Sequence, residues 1–164
     1  MGLFDCFKKK PKKRILYDFY YDKYVSVLWE WEVERGNKPN IEYGMVVMTE
    51  EKFNELESLL NKRKEFDQKL SLACELNNKG RELEKRGEFI DAIAIYEQNI
   101  LPDVHVTMHP YDRLLVLYRK NKDYENEKRV CTLAIEEFPQ EKKYKERLIK
   151  INGYIEKQNT NLKK

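Results

Sequence analysis

The sequence is poor in the residues that punctuate a chain. Six glycines and five prolines in 164 residues leave too few turn positions for a strand-rich sandwich or barrel, so a mainly helical fold is expected. Three cysteines, Cys6, Cys74 and Cys131, stand more than 50 residues apart, which excludes a disulfide framework or a paired-cysteine zinc knuckle and favours a reducing compartment. No run approaches the roughly 18 apolar residues of a membrane span. Met1 to Phe7 is too short for a signal-peptide core and precedes its charges instead of following them. The expected location is the cytoplasm, and the high Lys, Asn, Ile, Glu and Tyr usage suggests an AT-rich, bacterial genome.

Charge is present but unevenly placed. The 32 basic and 29 acidic residues give +3. Residues 1–14 hold six bases and one acid, so they carry +5 and the other 150 residues sum to −2. The body therefore offers no basic face for nucleic acid, and no recognition motif accompanies the tail. Gly2, Cys6 and the run Lys8–Arg14 superficially suggest an acyl anchor with a polybasic segment. Cys6 stands where the acylation pattern wants Ser or Thr. The tail is expected to be flexible and solubilising; salt-sensitive attachment to an anionic membrane through Leu3, Phe4, Phe7 and Lys8–Arg14 is the alternative.

From Asp67 onwards apolar spacing is helical. Leu70, Cys74, Leu76, Gly80 and Leu83 form an inward stripe that Gly87 ends in a left-handed cap. A second helix carries Phe89, Ala92, Ile93, Ile95, Tyr96 and Ile100 before Pro102. Pro110 suits a first helical turn, and Tyr111, Leu114, Leu115 and Tyr118 follow it inward. Asp123 is the expected N-cap of a helix with Val130, Cys131, Ala134, Ile135 and Phe138 inward, broken at Pro139. Tyr144, Leu148, Ile151 and Ile155 then make a one-faced helix that would cap the last hairpin.

Leu83 falls on Tyr118, Phe89 on Tyr124 and Tyr96 on Cys131 at a constant offset of 35 residues. The first copy reads Leu76, Lys79-Gly80, Leu83, Gly87-x-Phe89, Ala92, Tyr96; the second reads Tyr111, Leu114-Leu115, Tyr118, Tyr124, Ala134, Pro139. Over about 90 residues this pattern resembles the tetratricopeptide repeat (TPR). The sequence departs from that pattern at three places where small residues are expected, with Asn99 in the first copy and Leu115 and Glu127 in the second; either the second hairpin is splayed, or the repeats are a divergent relative of the family.

The N-terminal third holds eight of the 20 aromatics between Tyr17 and Tyr43. Val25, Val27, Trp29, Trp31 and Val33 alternate as in a strand, Gly36–Asn40 is a turn cluster, and Ile41, Tyr43, Met45 and Val47 alternate again. A β-hairpin is expected, with Trp29 and Trp31 on one face against residues 49–66 or against a second copy of the chain in a homodimer. Tyr17, Tyr20, Tyr24 and Leu28 also fit a helical stripe, the competing and less favoured reading. Thr49-Glu50-Glu51 should start a helix with Phe53, Leu56, Leu59 and Leu60 on one face.

The expected architecture is thus a basic tail (1–14), a hairpin plus helix (15–66), a short TPR-like solenoid of two helical hairpins and a capping helix (67–158), and a frayed end (159–164). Catalytic constellations are missing from the sequence. His105 and His109 are four apart but lie in an expected loop before Pro110, without a third ligand. Cys74 and Cys131 read as small inward hydrophobes. No phosphate-cradling glycine loop occurs. Neither a metal nor a cofactor is expected, nor an enzyme; an accessory domain of an enzyme is a further alternative. The resemblance implies a groove lined by the first helix of each hairpin, which assigns partner contacts to Asn77, Arg81, Glu84, Asp112, Val116 and Arg119. The expected function is a non-catalytic adaptor that holds a partner peptide or protein.

Overall fold

A computed structural model of the chain describes residues 12–104 and 107–161. It is 73% helix, which makes the fold mainly helical, with a small sheet near the N-terminus. The elements are β1 (Lys12–Leu16), α1 (Tyr17–Tyr24), a π-helical segment (Trp29–Glu34), β2 (Asn40–Glu42), β3 (Met45–Thr49), α2 (Glu50–Arg86), α3 (Phe89–Asn99), α4 (His109–Lys120), α5 (Tyr124–Glu137) and α6 (Lys142–Asn161). The chain divides into two compact units, Met1–Asp67 and Gln68–Lys164.

In the first unit the sheet is antiparallel in the order β1-β3-β2. Glu42 pairs with Met45, so the hairpin closes on two residues, Tyr43 and Gly44, both at positive φ (53° and 73°). Such a pair matches the twist of the flanking strands. The expected turn at Gly36–Asn40 instead joins the π-helical segment to β2, and β3 takes β1 as its second partner along all five residues, Lys12↔Thr49 to Leu16↔Met45. Lys12, Lys13 and Arg14, expected in the tail, are strand residues. Residues 1–11, the remainder of that tail, lie outside the described residues.

The expected strand over Val25–Val33 is overturned: Val25–Val27 form a turn and the chain from Leu28 to Glu34 is helical. The buried residues are Tyr20, Tyr24, Val27 and Trp31, spaced four, three and four, which is a helical stripe. The alternation was misleading because Val27 and Trp31 belong to both patterns. Trp31 is 2% exposed and Trp29 is 65% exposed, so the two indoles do not share a face. Trp31 packs with Val46, Leu56, Leu59 and Leu60 in one apolar cluster, where α2 presents its inner face.

The start of α2 is as expected, with the Lys52 N–H donating to Thr49 Oγ1 at 3.3 Å. No break occurs near residue 67. Residues 61–69 are all exposed, yet they contain neither Gly nor Pro, and Arg63 pairs with Asp67 one turn on at 3.2 Å. In the second unit α3, α4 and α5 follow the expected spans. Gly87 sits at φ 80°, and Asp123 accepts from the Asn126 N–H at 3.1 Å. At Gly80 a Cβ would lie 2.5 Å from the Tyr96 ring, so this close approach of α2 and α3 requires glycine. α6 remains helical through Asn161, beyond the expected fraying point.

Two inward assignments and one groove assignment need correction. Cys74 is exposed because the stripe of α2 runs through Ala73, Asn77 and Gly80. Phe89 is 41% exposed, its ring beneath the Lys120 ammonium at 5.5 Å. Asn77, assigned to the groove, is buried.

Candidate ligand-binding groove between α4 and α6

The Glu127 carboxylate, at a position where the repeat pattern expects a small residue, is fully buried. It is not left alone. Arg119 of α4 donates Nε to Oε2 at 2.6 Å and Nη2 to Oε1 at 2.8 Å. Arg147 of α6 donates Nε to Oε1 at 2.9 Å and Nη2 to the Leu115 carbonyl at 2.6 Å. A lone buried carboxylate would cost several kcal/mol (about 3 or more); these three charge-assisted bonds offset that cost and tie α4, α5 and α6 together. The Arg119 guanidinium also lies 4.3 Å from the centre of the Tyr154 ring, and Tyr154 stacks on Tyr124 at 5.4 Å and 15°. Its plane is therefore fixed from two sides.

Beside this triad opens a groove of about 510 Å3, where Asp112, Leu115 and Arg119 of α4 face Lys143, Tyr144, Glu146, Arg147 and Lys150 of α6. Asp112 accepts from the Tyr144 hydroxyl at 3.0 Å and from Lys143 Nζ at 2.8 Å. Arg119 and Arg147 commit Nε and Nη2 to protein acceptors, which leaves each Nη1 without a partner among the described residues. Lys150 is exposed and has no carboxylate within 4 Å among the described residues. With Glu127 included, four cations meet three carboxylates, and the unpaired donors are all cationic.

The six residues assigned from sequence are thereby divided. Asp112 and Arg119 line the groove; Val116 is half-buried and does not. Asn77 belongs to a buried clasp: Asn99 Nδ2 donates to Asn77 Oδ1 at 2.8 Å and to the Ala73 carbonyl at 3.0 Å, and Asn77 Nδ2 donates to Thr107 Oγ1 at 3.2 Å. Arg81 is exposed and donates to Asn78 on its own helix. Glu84 accepts from the Tyr96 hydroxyl at 2.9 Å and from Arg113 through Nε at 2.8 Å and Nη2. The Arg113 guanidinium holds its carboxyl below the usual range against the opposing effect of burial.

Sequence reasoning missed Glu127, Arg147, Lys143 and Lys150 as site residues. The signal for Glu127 was its own departure from the repeat pattern. Arg147 falls three residues after Tyr144 and four before Ile151, on the inward stripe of α6; a cation there points to a buried acid opposite.

Other chemistry is sparse. His109 Nε2 is buried without a partner among the described residues, its ring edge-on to Tyr96 at 5.9 Å. Burial, then the nearby Arg81 and Arg113, push its imidazole below its ordinary value, while Asp112 and Glu84 oppose them. His105 lies outside the described residues. Among the described residues no group of three or more His, Cys, Asp or Glu is arranged to hold a metal ion. The Cys131 thiol donates to the Tyr144 carbonyl at 3.1 Å, and burial raises its pKa. No helix among the described residues is long and apolar enough to cross a membrane. Comparison with protein-family models, with curated proteins and with solved structures returned no match to this chain.

Proposed function

We propose that this chain is a non-catalytic protein-interaction module, a divergent TPR-like stack of helical hairpins, that takes an acidic segment of a partner protein in the groove between α4 and α6. The repeat reading is supported by the constant 35-residue offset, by helices at both copies and by the glycine contact of Gly80 with Tyr96. The observation that carries the partner chemistry is the pair of guanidiniums held by the buried Glu127 carboxylate. Their rotamer freedom is already lost before a ligand arrives, so less entropy is lost on binding, and each keeps an unpaired Nη1 for a carboxylate.

The test uses fluorescein-labelled hexaglutamate and fluorescence anisotropy. Saturable binding that weakens with added salt is expected, with no binding of labelled hexalysine. Lys150→Glu changes an exposed residue outside the triad and should weaken hexaglutamate by about tenfold, equivalent to about 1.4 kcal/mol. Hexaglutamate that fails to saturate, or that binds Lys150→Glu equally well, contradicts the proposal.

A further inference from the structure

The groove between α4 and α6 has two ends of different character. The helices run in the same direction: Asp112 meets Tyr144, the Leu115 carbonyl meets Arg147, and Arg119 meets Tyr154. At the first end Asp112 is already engaged by the Tyr144 hydroxyl and Lys143 Nζ, an acid and a base that cancel. Arg119 stands seven residues further along α4, about 10 Å away at the helical rise. At this second end Lys150 follows Arg147 by three residues and precedes Tyr154 by four, so it falls between the levels of the two arginines. Glu146, the other acid of the lining, is exposed and holds no partner among the described residues, so its side chain is free to turn to water.

Each guanidinium spends the edge formed by Nε and Nη2 on protein acceptors. The planar fork keeps its other edge, Nη1 with the second hydrogen of Nη2, for a ligand. Both side chains remain accessible, at 28% for Arg119 and 29% for Arg147. Three cationic side chains therefore bracket one end of the groove. A carboxylate brings two oxygens and one charge, enough for two of them. A phosphate monoester brings three oxygens and about two charges at neutral pH, which gives each guanidinium an oxygen and Lys150 the third. Arginine forks held in place by a buried acid suit that geometry better than free lysines would. Leu115 and Tyr144 are each 1% exposed and present no apolar wall to a phosphotyrosine ring, which favours a short phosphorylated side chain.

We propose, resting on the reading of this groove as the site of an acidic partner segment, that its specific ligand is a phosphoserine or phosphothreonine within that segment, met by Arg119, Arg147 and Lys150. Phosphorylation of the partner then sets its affinity for this chain.

The test compares three fluorescein-labelled hexapeptides by anisotropy: hexaglutamate, the same peptide with phosphoserine at its fourth position, and the same peptide with serine there. The phosphopeptide is expected to bind at least about tenfold more tightly than hexaglutamate, and the serine peptide more weakly than either. Lowering the pH from about 7.5 to about 5.5 crosses the second phosphate ionisation near 6 and should cost the phosphopeptide about fourfold in affinity. Hexaglutamate, whose carboxylates ionise near 4.3, should change by less than about twofold. No histidine lines the groove, so the interval reports the ligand. Lys150→Gln alters an exposed residue outside the Glu127 triad and should reduce the phosphopeptide's advantage over hexaglutamate by about threefold. Hexaglutamate that saturates while the phosphopeptide binds no more tightly overturns this inference and leaves the acidic-segment reading standing. Failure of all three peptides to saturate overturns both. An advantage that survives Lys150→Gln undiminished, or that does not shrink at the lower pH, also overturns the inference.

Discussion

In the first unit the fully buried side chains are apolar or tyrosine, and polar pairing is carried by tyrosine hydroxyls: Tyr20 donates to Glu32 at 3.1 Å and Tyr24 donates to Glu57. In the second unit three polar side chains, Asn77, Asn99 and Glu127, are themselves buried. The two arrangements differ in what rescues a lost contact. Glu57 is half-buried and also holds Lys23 at 2.5 Å, so water and an ammonium remain to serve it if Tyr24 loses its hydroxyl. Among the described residues neither guanidinium of the Glu127 triad has a second carboxylate, and the Glu127 side chain is fully buried. A buried polar group thus makes the second unit specific at the expense of tolerance, and the same group sets out the groove.

The largest break in this contrast is Glu127→Gln. The side chain keeps its shape, but Arg119 and Arg147 lose their shared counter-charge. Both guanidiniums are partly open to solvent, so the expected loss is about 3 kcal/mol, at the low end for a broken buried pair, measured by urea unfolding. Tyr24→Phe removes one hydrogen bond from the first unit and should cost about 1 kcal/mol. Equal losses for the two variants would erase the distinction between the units.

The smallest effect is a pH dependence at His109. Its folded pKa lies below the ordinary 6.5, chiefly through burial, so the folded state favours the neutral ring. As pH falls through 6.5 the unfolded chain takes up a proton that the folded chain resists. His109 therefore contributes stability above 6.5 that is lost as pH falls towards its depressed folded value. His109→Gln should flatten the stability profile between pH 7 and about 5, and an unchanged slope in that interval would show that the ring is not withheld from solvent.

How far the sequence could be read follows the same division. In the second unit the stripes of α4, α5 and α6 have helical spacing bounded by Gly87, Pro110, Asp123 and Pro139, and each of those residues marks a cap or break where it was expected. In the first unit Val27 and Trp31 satisfy both a two-residue and a four-residue period, so the pattern alone could not choose between strand and helix. The Tyr43-Gly44 turn was hidden because tyrosine seldom takes a positive φ. Continuity of α2 past Asp67 was masked by the absence of an apolar stripe from residues 61–69.

The site was half legible. Arg119 and Asp112 came from the resemblance, but Asn77 and Glu84 occupy matching positions and are consumed by contacts with Asn99, Tyr96 and Arg113. Asn99 and Glu127, which stood out as departures from the repeat, proved to be the buried polar centres of the unit. Asn99 is met only through its Nδ2, its Oδ1 lacking a partner among the described residues, whereas the residues that satisfy Glu127 are the ones that line the groove.

The measurement closest to the central claim is a 1H–15N spectrum of the arginine Nε–H groups during titration with hexaglutamate. Two slowly exchanging Nε–H resonances, assigned to Arg119 and Arg147 by substitution, should be present before the peptide is added and should shift as it saturates. Nε–H groups in rapid exchange, or saturation by hexaglutamate that leaves both resonances unmoved, would contradict a groove built on Glu127.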